Sequence, residues 1–187
     1  MKKIDENIKV TLTFGQLRKL VAERRYLKEF VDDSYGDFVI RNQVLEKYNG
    51  HEKYVEIPPV ALNIGQYAFK GNKDIVGVKF HDRLVSIGDC AFMDCPNIAS
   101  ITIPENVSKI GAGAFYGSGL VNLVIKSRVV KLDVGVDAFS DCKELKGYSG
   151  PVHFAMDNID VFAGSPLYDQ FREYDKGLRT FSIGTMD

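Results

Sequence analysis

IGQYAF at residues 64–69 recurs as IGDCAF at 87–92, IGAGAF at 110–115 and VGVDAF at 134–139. The phenylalanines that end these segments lie 23, 23 and 24 residues apart, and Phe162 continues the series after 23 more. A fixed period in this range is typical of a solenoid, in which each repeat buries its apolar face only against its neighbours. The sequence therefore predicts a repeat scaffold that presents a surface.

A short strand precedes each of these segments. Apolar residues alternate there with polar ones, which is the period of a strand with one buried face. When the repeats are aligned on their phenylalanines, the inward positions fall in two columns: Val55 and Ile57, Val78 and Phe80, Ile101 and Ile103, Leu123 and Ile125. Stacked repeats of this kind predict a narrow parallel sheet, so the fold class is an α/β solenoid of about five repeats of ~23 residues.

Glycine and phenylalanine columns complete the repeat. Gly65, Gly88, Gly111 and Gly135 share a column, which predicts a position that tolerates no side chain or needs a positive φ. The repeated phenylalanines are expected to stack as an aromatic ladder, since offset aromatic pairs add about 0.5–1.5 kcal/mol each beyond area burial. We interpret this ladder as core and not as a platform for a ligand.

Composition limits the classes of partner. The chain has 187 residues, 45% of them hydrophobic, and a formal net charge of −1, so no global field would recruit nucleic acid. No run of 18 apolar residues is present, which argues against a membrane span. The first residues carry two lysines followed by acids and amides, so we expect no signal peptide and a cytoplasmic location.

Three cysteines are present, and the repeat register separates them. Cys95 and Cys142 share a column of small side chains with Asn72, Ser118 and Ser165. They lie two repeats apart, so their Cα atoms should be about 10 Å apart, beyond the roughly 7 Å limit for a disulfide. We therefore predict two buried thiols. Cys90 lies in a more variable column, which favours exposure; it is open whether this is a reactive thiol or an ordinary surface or half-buried cysteine, and the second is favoured because no His or Arg cluster lies beside it in sequence.

No catalytic or metal-binding pattern emerges from the sequence. His51, His81 and His153 are far apart and share no repeat column, which gives no support to a zinc or catalytic site. The glycines of 111–119 lack the lysine and the following helix of a phosphate-binding loop. We predict no catalytic residues, no metal, no cofactor and no enzyme activity.

The outward positions of the predicted sheet form the candidate binding face. In related solenoids, a row drawn from consecutive strands forms the binding surface. The candidate residues are Tyr54, Glu56, Lys79, Ser100, Thr102, Asn122 and Val124. This row is short, mixed in charge and poor in aromatic residues, and it is also consistent with ordinary solvent-exposed strand positions.

The repeat unit resembles the BspA-like leucine-rich repeat over about residues 37–166. The matching residues are Ile103-Pro104, Val107, Ile110-Gly111, Ala114-Phe115 and the Cys95–Ile98 stretch. This resemblance implies a solenoid that binds proteins, and described members of the family are mostly surface or secreted proteins implicated in adhesion.

Three regions follow from these patterns. Residues 1–37 are predicted as an N-terminal helical cap, because Thr13 and Gln16 form a capping-box pattern before a helical apolar period. Residues 38–166 hold the repeats. Residues 167–187 are predicted as a C-terminal cap with a helix after Ser165-Pro166 and a last strand at 178–183.

Two hypotheses of function remain. The first is a non-enzymatic scaffold for protein–protein interaction, its partner unidentified, with a glycan as the less favoured ligand. The second is an enzyme or regulatory subunit whose site lies in the N-terminal or C-terminal cap. The sequence leaves the oligomeric state open.

Overall fold

The computed structural model describes residues 34–127 and 132–177. The predicted N-terminal helix, the predicted last strand at 178–183 and part of the 24-residue step between the third and fourth segments lie outside these residues. Within them the chain winds as a solenoid in which two sheets enclose one apolar core. No helix of the described residues is long and apolar enough to cross a bilayer.

The predicted parallel sheet is present and has five strands in the order of the repeats. Its members are β4 (Tyr54–Glu56), β6 (Gly77–Lys79), β8 (Ser100–Ile103), β10 (Asn122–Ile125) and β12 (Gly147–Ser149). The register pairs Val55 with Val78, Ile101 with Leu123 and Ile103 with Ile125, so the predicted inward columns are aligned between β4 and β6 and between β8 and β10.

A second sheet, which we did not predict, closes the other side of the solenoid with seven strands. It begins with an antiparallel set and continues through parallel two-residue strands. Its strands are β1 (Ser34–Tyr35), β2 (Phe38–Arg41), β3 (Val44–Tyr48), β5 (Asn63–Ile64), β7 (Ser86–Ile87), β9 (Lys109–Ile110) and β11 (Asp133–Val134). A two-residue strand is too short to show the alternation that reveals a strand in sequence.

The phenylalanines form the predicted ladder. Phe69, Phe92, Phe115, Phe139 and Phe162 stack with centroids 4.7, 5.2, 5.3 and 5.5 Å apart and planes within 13° of parallel. These rings are at most 2% exposed. Tyr48 extends the stack at one end, 5.2 Å from Phe69, and Phe171 closes the other end edge-on at 5.4 Å from Phe162.

The glycine column is required because a side chain would not fit there, and not because these glycines have a positive φ. A Cβ added to Gly88 would lie 2.8 Å from the carbonyl oxygen of Ile64 in the preceding repeat, which is too close. The left-handed conformation occurs instead two residues later, at Tyr67 (φ 61°), Cys90 (φ 52°), Gly113 (φ 59°) and Asp137 (φ 57°). The variable residues of that column therefore share a tight turn, although they differ in exposure to solvent.

Three short helices follow the last repeat strand. They are α1 (Val152–Asp157), a 3-10 helix (Ile159–Phe162) and α2 (Pro166–Asp175). As the sequence predicts, α2 begins after Ser165, whose Oγ accepts a hydrogen bond from Tyr168 N at 3.3 Å. Leu167 and Phe171 are buried, whereas Tyr174, which we placed on the same face, is 37% exposed.

Candidate functional site

The seven candidate residues lie on one face of the five-stranded sheet. Parallel pairing aligns Tyr54 with Gly77, Gly77 with Ser100, and Ser100 with Asn122 in a first row. Glu56 aligns with Lys79, and Thr102 with Val124, in a second row. The face is open to solvent, because the five other candidates are exposed and Glu56 and Val124 are half-buried.

Tyr54 is the aromatic side chain of this face and is 76% exposed. A Cβ added to Gly77 would lie 3.1 Å from Cδ1 of Tyr54, so the ring lies beside the backbone of the neighbouring strand. A larger residue at 77 would push the ring away. Gly77 therefore lets an aromatic surface lie on the sheet, one strand from Ser100.

A cross-strand ion pair balances charge in the second row. Lys79 Nζ lies 3.2 Å from Glu56 Oε1, and both groups are solvent-accessible. Such an exposed pair contributes about 0.2–1 kcal/mol to stability. Its main effect on the face is to remove a net charge, so this part of the sheet offers polarity without a strong field.

The sheet opens between β6 and β8. Three residue pairs join β4 to β6 and four join β8 to β10, but Gly77↔Ser100 is the single pair that joins β6 to β8. Lys79 and Thr102, which would pair two residues further on, do not. The strands therefore diverge toward their C-terminal ends.

We attribute this divergence to Phe80. It occupies the column that holds isoleucine at 57, 103 and 125, and its ring reaches Phe92 edge-on at a centroid distance of 5.9 Å. A phenyl ring needs more width than an isoleucine side chain in a closely packed interior. The aromatic substitution in one repeat thus widens the gap to the next strand.

A groove with a cavity volume of about 610 Å³ occupies this gap. Val78, Phe80 and Pro104 form its apolar part, and Ser100 and Thr102 add hydroxyl groups. Its volume lies within the roughly 300–1,000 Å³ of small-molecule sites. Three of the seven predicted face residues, Lys79, Ser100 and Thr102, line it.

The rim of the groove carries both signs of charge. Lys79 and Lys126 stand with Asp82 and Glu105, so the lining carries two charges of each sign, and Glu56, which is paired with Lys79, adds a carboxylate beside it. Asn106 also lines the groove, and its Nδ2 donates a hydrogen bond to the carbonyl oxygen of Asp82 at 2.7 Å. This bond joins the turns that follow β6 and β8.

Our sequence prediction missed the turn residues of this groove. Asp82 and Glu105 fall in the same repeat column, 23 residues apart, and this pair of acids was the available signal. The groove itself had no signal in the alternation pattern, because Phe80 reads as one more inward apolar residue. Only strand pairing shows that the sheet opens there.

The two cysteines of the small-residue column are buried free thiols, as predicted. Sγ of Cys95 donates to the carbonyl oxygen of Phe69, and Sγ of Cys142 to that of Phe115, both at 3.1 Å. Burial raises the pKa of Cys95 to about 11 and also raises the pKa of Cys142. Protonated thiols that bond backbone carbonyls have a structural role here.

Cys90 is half-buried rather than exposed. Its Sγ lies 3.7 Å from the carbonyl oxygen of Ala112. The next repeat covers part of the thiol, which agrees with the half-buried alternative. Whether this cysteine is reactive stays an open prediction.

His51 and His81 each have a local partner. His51 Nδ1 lies 2.7 Å from Asp74 Oδ2, and this hydrogen bond together with the carboxylate charge raises the pKa of His51. His81 Nε2 lies 2.9 Å from the carbonyl oxygen of Ala61. Within 34–127 and 132–177, no group of three or more His, Cys, Asp or Glu side chains could hold a metal ion.

The architecture defines the class as a leucine-rich-repeat solenoid, and the comparisons identify the family. The model of the BspA type leucine rich repeat region matches in six copies over residues 42–168. The chain therefore belongs to the BspA type leucine-rich repeat family. No curated protein matches it.

Two solved structures of bacterial leucine-rich repeat proteins are similar to this chain. One from Bacteroides ovatus has a TM-score of 0.50 at 22% identity and covers 66% of this chain and 35% of its own. One from Eubacterium ventriosum has a TM-score of 0.41 at 18% identity, covering 81% and 52%. The chain spans about a third of the Bacteroides protein and half of the Eubacterium protein.

Proposed function

We propose that this leucine-rich repeat chain is a non-enzymatic scaffold that binds a protein partner through the outward face of its five-stranded sheet. The observation that carries the proposal is a solvent-accessible face across consecutive strands, with Tyr54, Ser100 and Asn122 exposed in one row. Membership of a family of repeat scaffolds supports it. Proteins of this kind are typically non-enzymatic.

The size of the face limits the kind of contact. Five strands at about 4.8 Å span roughly 24 Å, and four residues at about 3.3 Å span roughly 13 Å, which gives about 300 Å². A standard protein interface buries about 800 Å² on each partner. We therefore expect the partner to contact the turns beside the sheet as well, or to bind transiently through a short segment.

Reversal of polarity on the face tests the proposal. A partner is first captured by crosslinking in the source cells and then purified. Its affinity is measured for the original chain and for Lys79→Glu and Thr102→Glu. We expect each change to weaken binding at least tenfold, since a misplaced charge at a contact lacks a partner.

Lys109→Glu is the matched control. Lys109 is exposed on β9 of the other sheet, so this change alters the net charge equally while it leaves the proposed face intact. It should change the affinity less than twofold. Binding that survives both Lys79→Glu and Thr102→Glu in folded protein would refute the sheet-face assignment.

A further inference from the structure

We propose that the groove between β6 and β8 is a binding site for a neutral oligosaccharide. This site goes beyond the proposed protein contact, because it is a cavity with its own lining and ligand chemistry. Three properties of the groove carry the assignment: its mixed polarity, its charges of both signs and the aromatic ring beside it.

The lining matches the amphiphilic surface of a sugar. A sugar ring presents C–H groups on its faces and hydroxyl groups around its edge. Val78, Phe80 and Pro104 offer apolar contact, while Ser100 and Thr102 offer hydroxyls that both donate and accept hydrogen bonds. A purely apolar ligand would leave these hydroxyls without water or a replacement, which costs free energy.

The charges at the rim favour a ligand without net charge. Two carboxylates, of Asp82 and Glu105, accept hydrogen bonds, and two ammonium groups, of Lys79 and Lys126, donate them. An anion entering the groove would meet both carboxylates, and a cation would meet both lysines. A polyhydroxylated neutral molecule can use all four groups, because each hydroxyl is donor and acceptor.

Tyr54 extends the site along the sheet. Its exposed ring lies beside Gly77, and Gly77 pairs with Ser100 at the edge of the groove. Strands in a sheet lie about 4.8 Å apart, so the ring is within one sugar unit of the groove. An oligosaccharide can thus place one unit in the groove and stack the next on the ring.

A glycan array is the first experiment. The folded chain is applied to neutral gluco-, galacto- and manno-oligosaccharides beside sialylated and sulfated glycans, and in parallel to an array of random peptides. We expect binding to a neutral oligosaccharide, then measured by calorimetry in 0.05 and 0.5 M NaCl. The affinity should differ less than twofold between the two, since screening weakens charged contacts only.

Variants of the lining locate the ligand. Thr102→Val keeps the shape and removes the hydroxyl, and Asp82→Asn keeps the shape and removes the charge. Each is expected to weaken binding at least fivefold, and Tyr54→Ala is expected to do the same while Tyr54→Phe restores binding to within twofold. Asn122→Ala, on the same face but outside the groove lining, is the control and should change the affinity less than twofold.

Phe80→Ile tests the origin of the groove. It restores the residue of the neighbouring repeats and should let β6 and β8 pair, so binding should be lost in a protein that still unfolds cooperatively. If this variant does not fold, Thr102→Val and Asp82→Asn still decide the assignment.

Three results would overturn the assignment: no neutral glycan bound at millimolar concentration, binding only to charged glycans or peptides, or a neutral ligand insensitive to Thr102→Val and Asp82→Asn. The outcome is separate from the proposed function. A captured protein partner without glycan binding would refute the groove site alone, and glycan binding without a protein partner would refute the protein contact alone.

Discussion

Replacing Phe115 by leucine isolates the contribution of aromatic stacking to the solenoid. Phe115 is fully buried and stacks between Phe92 and Phe139 at 5.2 and 5.3 Å, with interplanar angles of 3° and 5°. Leucine keeps most of the buried apolar area but ends both ring contacts. Two aromatic pairs at about 0.5–1.5 kcal/mol each predict a loss of about 1–3 kcal/mol in the free energy of unfolding.

Phe115→Ala adds a cavity to the same loss. Phenylalanine to alanine changes in a packed core cost about 3–5 kcal/mol. Because domains are typically stable by only about 5–15 kcal/mol, this variant should be close to the limit of folding. The leucine variant should lie between it and the original chain.

Urea unfolding followed by far-UV circular dichroism measures both losses. Tyr54→Ala is the aromatic control, since that ring is 76% exposed and its removal should change stability by about 0.5 kcal/mol or less. A Phe115→Leu variant within about 0.5 kcal/mol of the original chain, at an unchanged slope with urea, would show that stacking adds nothing beyond burial.

Two further predictions concern titrating groups. In an NMR titration, the pKa of His51 should lie above its usual 6.5 because of the hydrogen bond and charge of Asp74, and Asp74→Asn should bring that pKa back toward 6.5. The small stabilising effect of this contact is present at low pH and is lost as the pH rises through the folded-state pKa of His51. A pKa of His51 at or below 6.5 would contradict the contact. Burial that raises the pKa of Cys95 from 9.0 to about 11 favours the neutral thiol, so its contribution to stability should hold below pH 9 and fall between 9 and 11. With a thiol reagent at pH 8, Cys95 and Cys142 should react only after urea unfolds the chain, and fast reaction of either in the folded state would contradict this burial.

The repeated core was predictable residue by residue. Phenylalanine recurs once per repeat because every ring stacks on its counterpart in the next repeat. The same packing requirement therefore appears in the sequence five times, at Phe69, Phe92, Phe115, Phe139 and Phe162. The same reasoning predicted the buried thiols, because a column of small side chains indicates the inside of a tight corner in each turn of the solenoid. The outward face followed from period-two alternation.

The groove was less predictable. Lys79, Ser100 and Thr102 were identified as outward strand residues, but Asp82 and Lys126 lie in segments after the strands where alternation gives no guidance. Nothing in the sequence near them states how far apart β6 and β8 lie. That distance depends on the ring of Phe80 and its contact with Phe92 across the core.

By itself the sequence determined the repeat period, the phenylalanine ladder, the buried columns and the family resemblance. Each of these depends on the same residue type recurring at the same position of every repeat, because equivalent side chains stack on one another. Only the tertiary structure decided where neighbouring repeats differ in their backbone pairing. The second sheet and the left-handed turn column depend on backbone pairing and conformation. A strand of two residues is too short to give a sequence pattern that predicts either of them. The opening of the sheet beyond the Gly77↔Ser100 pair depends, in our interpretation, on the width of the Phe80 ring. A pattern of apolar residues shows that position 80 faces inward, but it does not show how much space the side chain needs.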